Sequence, residues 1–285
     1  MKIVECPRDA LQGLERFVPT ELKIEYLNAL LAVGFDALDF GSFVSEKAVP
    51  QMRDTAEVLQ SLDPSPTPLL CIVVNEKGLE TALSYERIAY VGYPFSLSPT
   101  FQYRNSKKTP EESWPLVERT IRLTHEAGKR SVIYVSMGFG NPYGDAWDAR
   151  QTIETVRKIC DLGADVVAPA DTAACARPED VREIFSALAT INAEIGAHFH
   201  VSPQNAKTML EAAWNGGCRR FDCALMGFGG CPFAQDRLVG NLATETLLDF
   251  LESKAAAPPR LDRDALNRAF GIARRVFADE YELQR

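Results

Sequence analysis

Short apolar runs rich in β-branched residues recur along the chain at 2–5, 37–40, 69–74, 87–92, 131–136, 166–169, 195–200 and 220–225. Between them lie amphipathic stretches at 21–33, 110–127, 149–162, 178–192 and 203–215. The first pattern predicts strands buried on both faces, and the second predicts surface helices. Gly34, Gly128, Gly163 and Gly217 stand where those helices should end, the place where a left-handed residue stops a helix. Strands alternating with helices imply a parallel sheet covered on both sides. About eight such units match the α/β class in its closed (β/α)8 TIM-barrel form, with an open doubly wound sheet as the other arrangement. The barrel is expected over 1–253. Residues 254–285 are expected to form a linker, Ala255-Ala256-Ala257-Pro258-Pro259, and a C-terminal helix packed on the barrel or on a neighbouring subunit.

At 285 residues with 46% hydrophobic side chains, the chain can bury one large core. Its net charge of -8 argues against a nucleic-acid partner, and an anionic substrate would need a local basic patch. No apolar stretch is long enough to span a bilayer, and the N-terminus lacks the pattern of a secretory signal, so a cytoplasmic location is expected. Seven cysteines occur without a Cys-x-x-Cys pair, which argues against a structural zinc or a redox dithiol. Cys71, Cys160, Cys218 and Cys223 lie in or beside apolar segments and read as buried thiols, whereas Cys6 and Cys175 lie near strand ends.

Three places carry candidate chemistry. Two of the three histidines form His198-Phe199-His200, and residues two apart on a strand share a face. Paired imidazoles suit a divalent metal, although two polar residues ending a strand would look the same. Glu5-Cys6-Pro7-Arg8-Asp9 follows the first strand, either as a capping turn or as an oxygen ligand beside a fixed positive charge. Gly227-Phe228-Gly229-Gly230-Cys231-Pro232 presents a thiol on a glycine-rich loop, with Asn241 downstream. Asp9, His198, His200 and Asn241 would form a mixed nitrogen and oxygen set, which favours Mg²⁺ or Mn²⁺ over a closed thiolate zinc site. In a barrel all of these fall on the rim at the C-terminal strand ends, where barrel enzymes place their chemistry. Asp39, Ser42, Asn75, Tyr134, Ser136 and Asp171 belong to the same rim, and His125 reads as a surface residue.

From Ile3 to about Leu251 the chain resembles 3-hydroxy-3-methylglutaryl-CoA lyases, metal-dependent barrel enzymes with an Arg-Asp motif on the first strand. The likeness is carried by Pro7-Arg8-Asp9-Ala10-Leu11-Gln12, Ser42-Phe43-Val44-Ser45, Asn75-x-Lys77-Gly78, Asn105, Tyr134-Val135-Ser136, Asp171-Thr172 and His198-x-His200. Its most specific block runs from Gly229-Gly230-Cys231-Pro232 to Gly240-Asn241-Leu242-Ala243-Thr244-Glu245. The resemblance implies Asp9, His198, His200 and Asn241 as ligands of Mg²⁺ or Mn²⁺. It implies Arg8 as stabiliser of an enolate, Cys231 in proton transfer, Asp171 as an acid, base or positioning group, and Asp39 as a partner of Arg8 or of the site. Gln12, Ser42, Asn75, Asn105, Tyr134, Ser136 and Thr172 would bind substrate.

The implied reaction cleaves a 3-hydroxy-3-alkylglutaryl thioester, such as the 3-methyl compound, to acetyl-CoA and acetoacetate, and the family suggests a homodimer. Lys47, Arg104, Lys107 and Lys108 lie on rim loops where they could meet the phosphates of an acyl-CoA. Ala10, Asp39, Val132 and Val201 depart from the family's usual Gly, Glu, Arg and Asp. The two valines are expected to remove charge near the substrate. A condensing enzyme joining acetyl-CoA to a 2-oxo acid, or an aldolase of the same barrels, shares the Arg-Asp and His-x-His pieces. A non-catalytic barrel that keeps its metal is the remaining alternative.

Overall fold

The computed structural model describes residues 1–230, 239–256 and 261–278. Its strands are β1 (Lys2–Glu5), β2 (Ala37–Ser42), β3 (Leu69–Ile72), β4 (Ile88–Ser96), β5 (Arg130–Ser136), β6 (Val166–Asp171), β7 (Glu194–Ile195), β8 (Ala197–Phe199) and β9 (Arg220–Cys223). Each neighbouring pair is parallel. Because β5 also pairs with β6 and β1 pairs with β9, the sheet closes on itself, and the open doubly wound arrangement is excluded. The run at 195–200 splits at Gly196 into β7 and β8, which share one barrel position.

Alternation along the strands sorts the apolar residues into two cores. Val4, Cys6, Ala37, Leu70, Val132, Tyr134, Val166 and Ala168 point inward and fill the barrel. Ile3, Leu38, Cys71, Val91, Ile133, Val167, Phe199 and Phe221 point outward beneath the helices. Both faces are therefore dry, which explains why the strands read as nearly continuous apolar runs. Gly34, Gly128, Gly163 and Gly217 take φ of 87°, 70°, 92° and 99°, the left-handed geometry expected at helix ends. Five helices were not among the predicted stretches: Thr244–Ser253, with ten residues, and Pro7–Gln12, Thr55–Ser61, Glu76–Leu83 and Pro99–Ser106, with six to eight each. In the four shorter ones, two turns are too few for an apolar stripe to repeat.

The helix Arg263–Val276 lies on the helix Thr20–Leu31, with the Asp262 amide donating to the Val33 carbonyl at 2.9 Å and Arg275 meeting Glu25 at 2.5 Å. Phe277 meets Tyr26 edge-on at 6.0 Å and stacks on Phe228 at 4.8 Å. The C-terminal extension thus holds the start of the glycine-rich run as well as the barrel wall. No helix among the described residues is long and apolar enough to cross a membrane.

Glu5 ends β1 on the outward face, fully buried, and accepts hydrogen bonds from the Leu225 amide at 2.7 Å and the Thr244 hydroxyl at 2.6 Å. Burial pushes its carboxyl from an ordinary 4.5 up to about 8, against those two bonds. The folded chain then keeps a proton that the unfolded chain loses above 4.5, so stability falls as pH rises from 4.5 to about 8. Each pH unit in that window costs roughly 1.4 kcal/mol. Glu5→Gln, permanently neutral, should lack this loss. Denaturant unfolding of both proteins at pH 5 and pH 8 should show the variant gaining on the parent, and an equal difference at the two pH values would refute the assignment.

Candidate metal centre and active-site cavity

Arg8 and Asp9 sit in the first turn of the helix Pro7–Gln12, which starts as β1 ends. Helical spacing of three and four puts Gln12 beside both. Arg8 Nη1 donates to Asp9 Oδ1 at 2.8 Å and to Gln12 Oε1 at 3.0 Å, while Gln12 Nε2 donates to Asp9 Oδ1 at 2.7 Å. Asp39 points inward from β2 and takes Arg8 Nε at 3.0 Å and Nη2 at 2.6 Å on Oδ2. Arg8 is 8% exposed and Asp39 0%, so this is a buried cation clamped between two carboxylates. Burial works against the Arg8 charge, but Asp39 and Asp9 more than compensate and hold it protonated. For Asp9 burial acts upward, and the Arg8 charge with the His200 hydrogen bond outweighs it, leaving the carboxyl well below its usual range. Burial lifts Asp39 to about 6 despite Arg8, which leaves it ionised above neutral pH.

His198 lies on β8, and His200 follows it on the same face. His200 Nδ1 is 2.9 Å from the Thr172 carbonyl oxygen, which can only accept, so Nδ1 donates there and Nε2 is the nitrogen turned toward the cluster. That nitrogen faces Asp9 Oδ2 at 3.1 Å and His198 Nε2 at 3.2 Å. One ligand atom from each of the three residues lies within 4.8 Å of the others, and all three residues are buried. Two ring nitrogens and a carboxylate oxygen converging this closely in a dry interior make a donor set that a divalent metal can join, so the residues present fit such an ion. Asn241 pairs with His200 through an antiparallel bridge, and its side-chain amide donates to the Phe228 carbonyl at 2.9 Å. Gly229, with φ of 99°, brings the glycine-rich run against this cluster. A side chain there would put Cβ 2.6 Å from the Asp9 carbonyl oxygen and 2.8 Å from Asn241 Nδ2.

A cavity of about 410 Å³ opens beside the cluster, bounded by Arg8, Asp9, Gln12, His198 and His200 at one end. Ser42, Asn75, Asn105, Tyr134, Ser136 and Thr172 all line it, as does an apolar wall including Val49, Met52 and Phe101. Arg104 and Lys107 stand at its mouth, and Arg104 also stacks on Tyr143 at 4.6 Å, whereas Lys47 and Lys108 are exposed elsewhere. Three expected site residues are off the cavity wall. Asp39 lies behind Arg8, and Asn241 lies behind His200. Asp171 accepts the Cys175 and Ala176 amides at 2.8 and 3.0 Å, and burial lifts its carboxyl to about 6. Cys231 lies outside the described residues.

The two valines themselves are not among the residues lining the cavity. Val132 sits one layer deeper than Tyr134 inside the barrel, and Val201 packs behind His200 toward Met226 and Phe228. Cys71, Cys218 and Cys223 are buried as expected, but Cys160 and Cys175 are only half-buried. His125 is on the surface beside Asp165 at 2.8 Å. One buried group near the cluster escaped the reading of the sequence: Asp222 Oδ2 lies 3.3 Å from His198 Nδ1. Its signal was a pair of charges at alternate positions, Arg220 and Asp222, in a strand buried throughout.

The model of the HMGL-like family matches residues 2–270. The chain belongs to the HMGL-like family. The hydroxymethylglutaryl-CoA lyase YngG of Bacillus subtilis is 31% identical over 252 residues, covering 86% of this chain and 83% of that protein. The human mitochondrial hydroxymethylglutaryl-CoA lyase is 31% identical over 258 residues, covering 88% and 78%. A solved HMG-CoA lyase of Acinetobacter baumannii, in complex with coenzyme A and 3-methylmalate, superposes with a TM-score of 0.89 at 31% identity, over 97% of this chain and 91% of that one. The HMGL-like match covers β1 to β9 together with most of the helix Arg263–Val276, so every described site residue lies within it.

The Arg8–Asp39 pair should be the most costly contact in this region to break, because each charge is buried on the other. Asp39→Asn should lose about 3 kcal/mol of folding stability at neutral pH. A urea midpoint shifted by the equivalent of less than 1 kcal/mol would show that Asp9 alone suffices to hold Arg8.

Proposed function

We propose that this chain is a divalent-metal-dependent carbon–carbon lyase that cleaves 3-hydroxy-3-methylglutaryl-CoA, or a close 3-hydroxy-3-alkyl homologue, to acetyl-CoA and a 3-oxo acid. The observation that carries the reading is that a buried guanidinium and three convergent metal-type donors share one cavity whose mouth is basic. Membership of the HMGL-like family supports it, as do the lyase names of the relatives and the coenzyme A bound to the solved homologue.

Asp9, His198 and His200, together with Asn241, would hold Mg²⁺ or Mn²⁺, which when bound polarises substrate oxygens and makes a hydroxyl easier to deprotonate. Arg8 presents a permanent charge to the thioester oxygen as enolate character develops there. Asp39 and Gln12 keep that guanidinium from turning away, so little reorganisation is needed when the charge arrives. The apolar wall at Val49 and Met52 suits the alkyl substituent and keeps water from the reacting carbon. Arg104 and Lys107 are assigned to the phosphates of the CoA moiety. Asp171 is assigned a positioning role, since its carboxylate is already engaged by the backbone of the turn that follows Thr172. Cys231 is assigned as the proton donor to the enolate carbon.

Incubation of the chain with the hydroxymethylglutaryl thioester and Mg²⁺ should yield acetoacetate and acetyl-CoA in equal amounts, and EDTA should abolish the yield. Thiol release from acetyl-CoA and a 2-oxo acid, with no acetoacetate, would move the chain to the condensing enzymes. Arg8→Lys should lower kcat by roughly two orders of magnitude, the cost of one charge contact made in the transition state, with circular dichroism unchanged. Turnover near the parent value would remove the guanidinium from the chemistry. Charge reversal at both Arg104 and Lys107 should raise KM for the thioester with little change in kcat, and an unchanged KM would dismiss the phosphate assignment.

A further inference from the structure

We infer that Asp222 is a positioning residue that fixes the ring of His198 so that its Nε2 faces the metal position. The inference rests on the metal-binding reading of Asp9, His198 and His200. On β9, Phe221 and Cys223 face the outer core, so Arg220 and Asp222 project into the barrel. Asp222 is 2% exposed, and a carboxylate there is costly unless its oxygens are used. Oδ2 lies 3.3 Å from His198 Nδ1. A carboxylate oxygen accepts from the ring N–H, which favours a proton at Nδ1 and turns Nε2 toward His200 and Asp9. Thr172 does the same for His200 through a neutral carbonyl, so the two histidines are set by acceptors of different charge.

Below Asp222 stands a charge of opposite sign: Arg220 Nη2 lies 3.9 Å from Asp222 Oδ1, which has no hydrogen-bond partner, and Arg220 Nη1 donates to Glu194 Oε1 at 3.0 Å. Glu194 in turn meets Lys2 at 2.5 Å. A line of alternating charges therefore runs from the base of the barrel to the metal cluster. The arginine stem fills the space a side chain at Gly196 would need, since Cβ there would come within 2.9 Å of Arg220 Cδ. This accounts for the glycine at that point.

A rival use of the same atoms is a second cation held by Cys6, His198 and Asp222, whose ligand atoms also lie within 4.8 Å of one another. Cys6 Sγ instead points to the Val4 carbonyl at 3.8 Å. The single-cation arrangement is the one the contacts support.

Mn²⁺ titration of the full chain, followed by electron paramagnetic resonance, tests the inference. The parent should bind one ion per chain, and Asp222→Asn should bind it 10- to 100-fold more weakly, the usual range for a lost outer partner of a metal histidine. If Asp222 acts through His198, adding Asp222→Asn to His198→Ala should cause no further loss. Equal losses in both backgrounds, or unchanged affinity in a folded Asp222→Asn, would overturn the assignment. Two ions per chain, the second abolished by Cys6→Ala, would overturn it in favour of the rival site. A parent that binds no Mn²⁺ would instead sink the metal reading on which the inference stands. Should Asp222→Asn not fold, the Co²⁺-loaded parent supplies the answer by proton NMR. Two shifted, slowly exchanging imidazole N–H signals are expected, one for each histidine, and a single signal would overturn the inference.

Discussion

Three lone-pair donors from opposite ends of the chain meet inside the barrel mouth, with His200 Nε2 within 3.2 Å of both His198 Nε2 and Asp9 Oδ2. Such a cluster repels itself unless a positive charge completes it, and the rest of the architecture is arranged around that demand. Closing the sheet through β1 and β9 brings residue 9 beside residue 200. The bridge between His200 and Asn241 then fixes where the last segment enters. Every element that shapes the cavity is referred to this point.

Charge balance decides how the neighbouring residues are used. Arg8 pairs with Asp9 and Asp39 at once, which lets a guanidinium stand rigidly in a site where a free one would swing toward water. That rigidity is what makes it useful against a developing enolate, because the donor is oriented before the charge appears. Further down the barrel Lys2, Glu194, Arg220 and Asp222 alternate in charge, from the half-buried base to the buried Asp222. The barrel centre is therefore a packed layer of aliphatic side chains interrupted by one polar column beneath His198.

The glycine-rich run and the C-terminal helix, far apart in sequence, form one support on the open side. Phe228 stacks on Phe277, and Gly229 lies on the backbone of Asp9. A barrel rim is built from loops, and loops need such external packing to hold catalytic groups in place. The extension, expected from the sequence to pack on the barrel or a neighbouring subunit, thus also supports the start of the glycine-rich run.

Much of this was legible before any coordinates. The alternation of strands and helices and the glycines at helix ends follow from local stereochemistry and short-range periodicity, and they allowed a barrel or an open doubly wound sheet, between which closure of the sheet decided. The sequence by itself determined which elements form and which side chains face inward, because the face is set by parity along a strand. It did not reveal the short helix carrying Arg8, Asp9 and Gln12, whose six residues show no repeat. Nor did it show that Asp39, Asp171 and Asn241 sit behind the cavity wall, or that Asp222 backs His198. Those placements depend on the relative heights of strands separated by scores of residues. Register between strands is a property of the closed ring, and only the tertiary structure could decide which inward-facing group meets which.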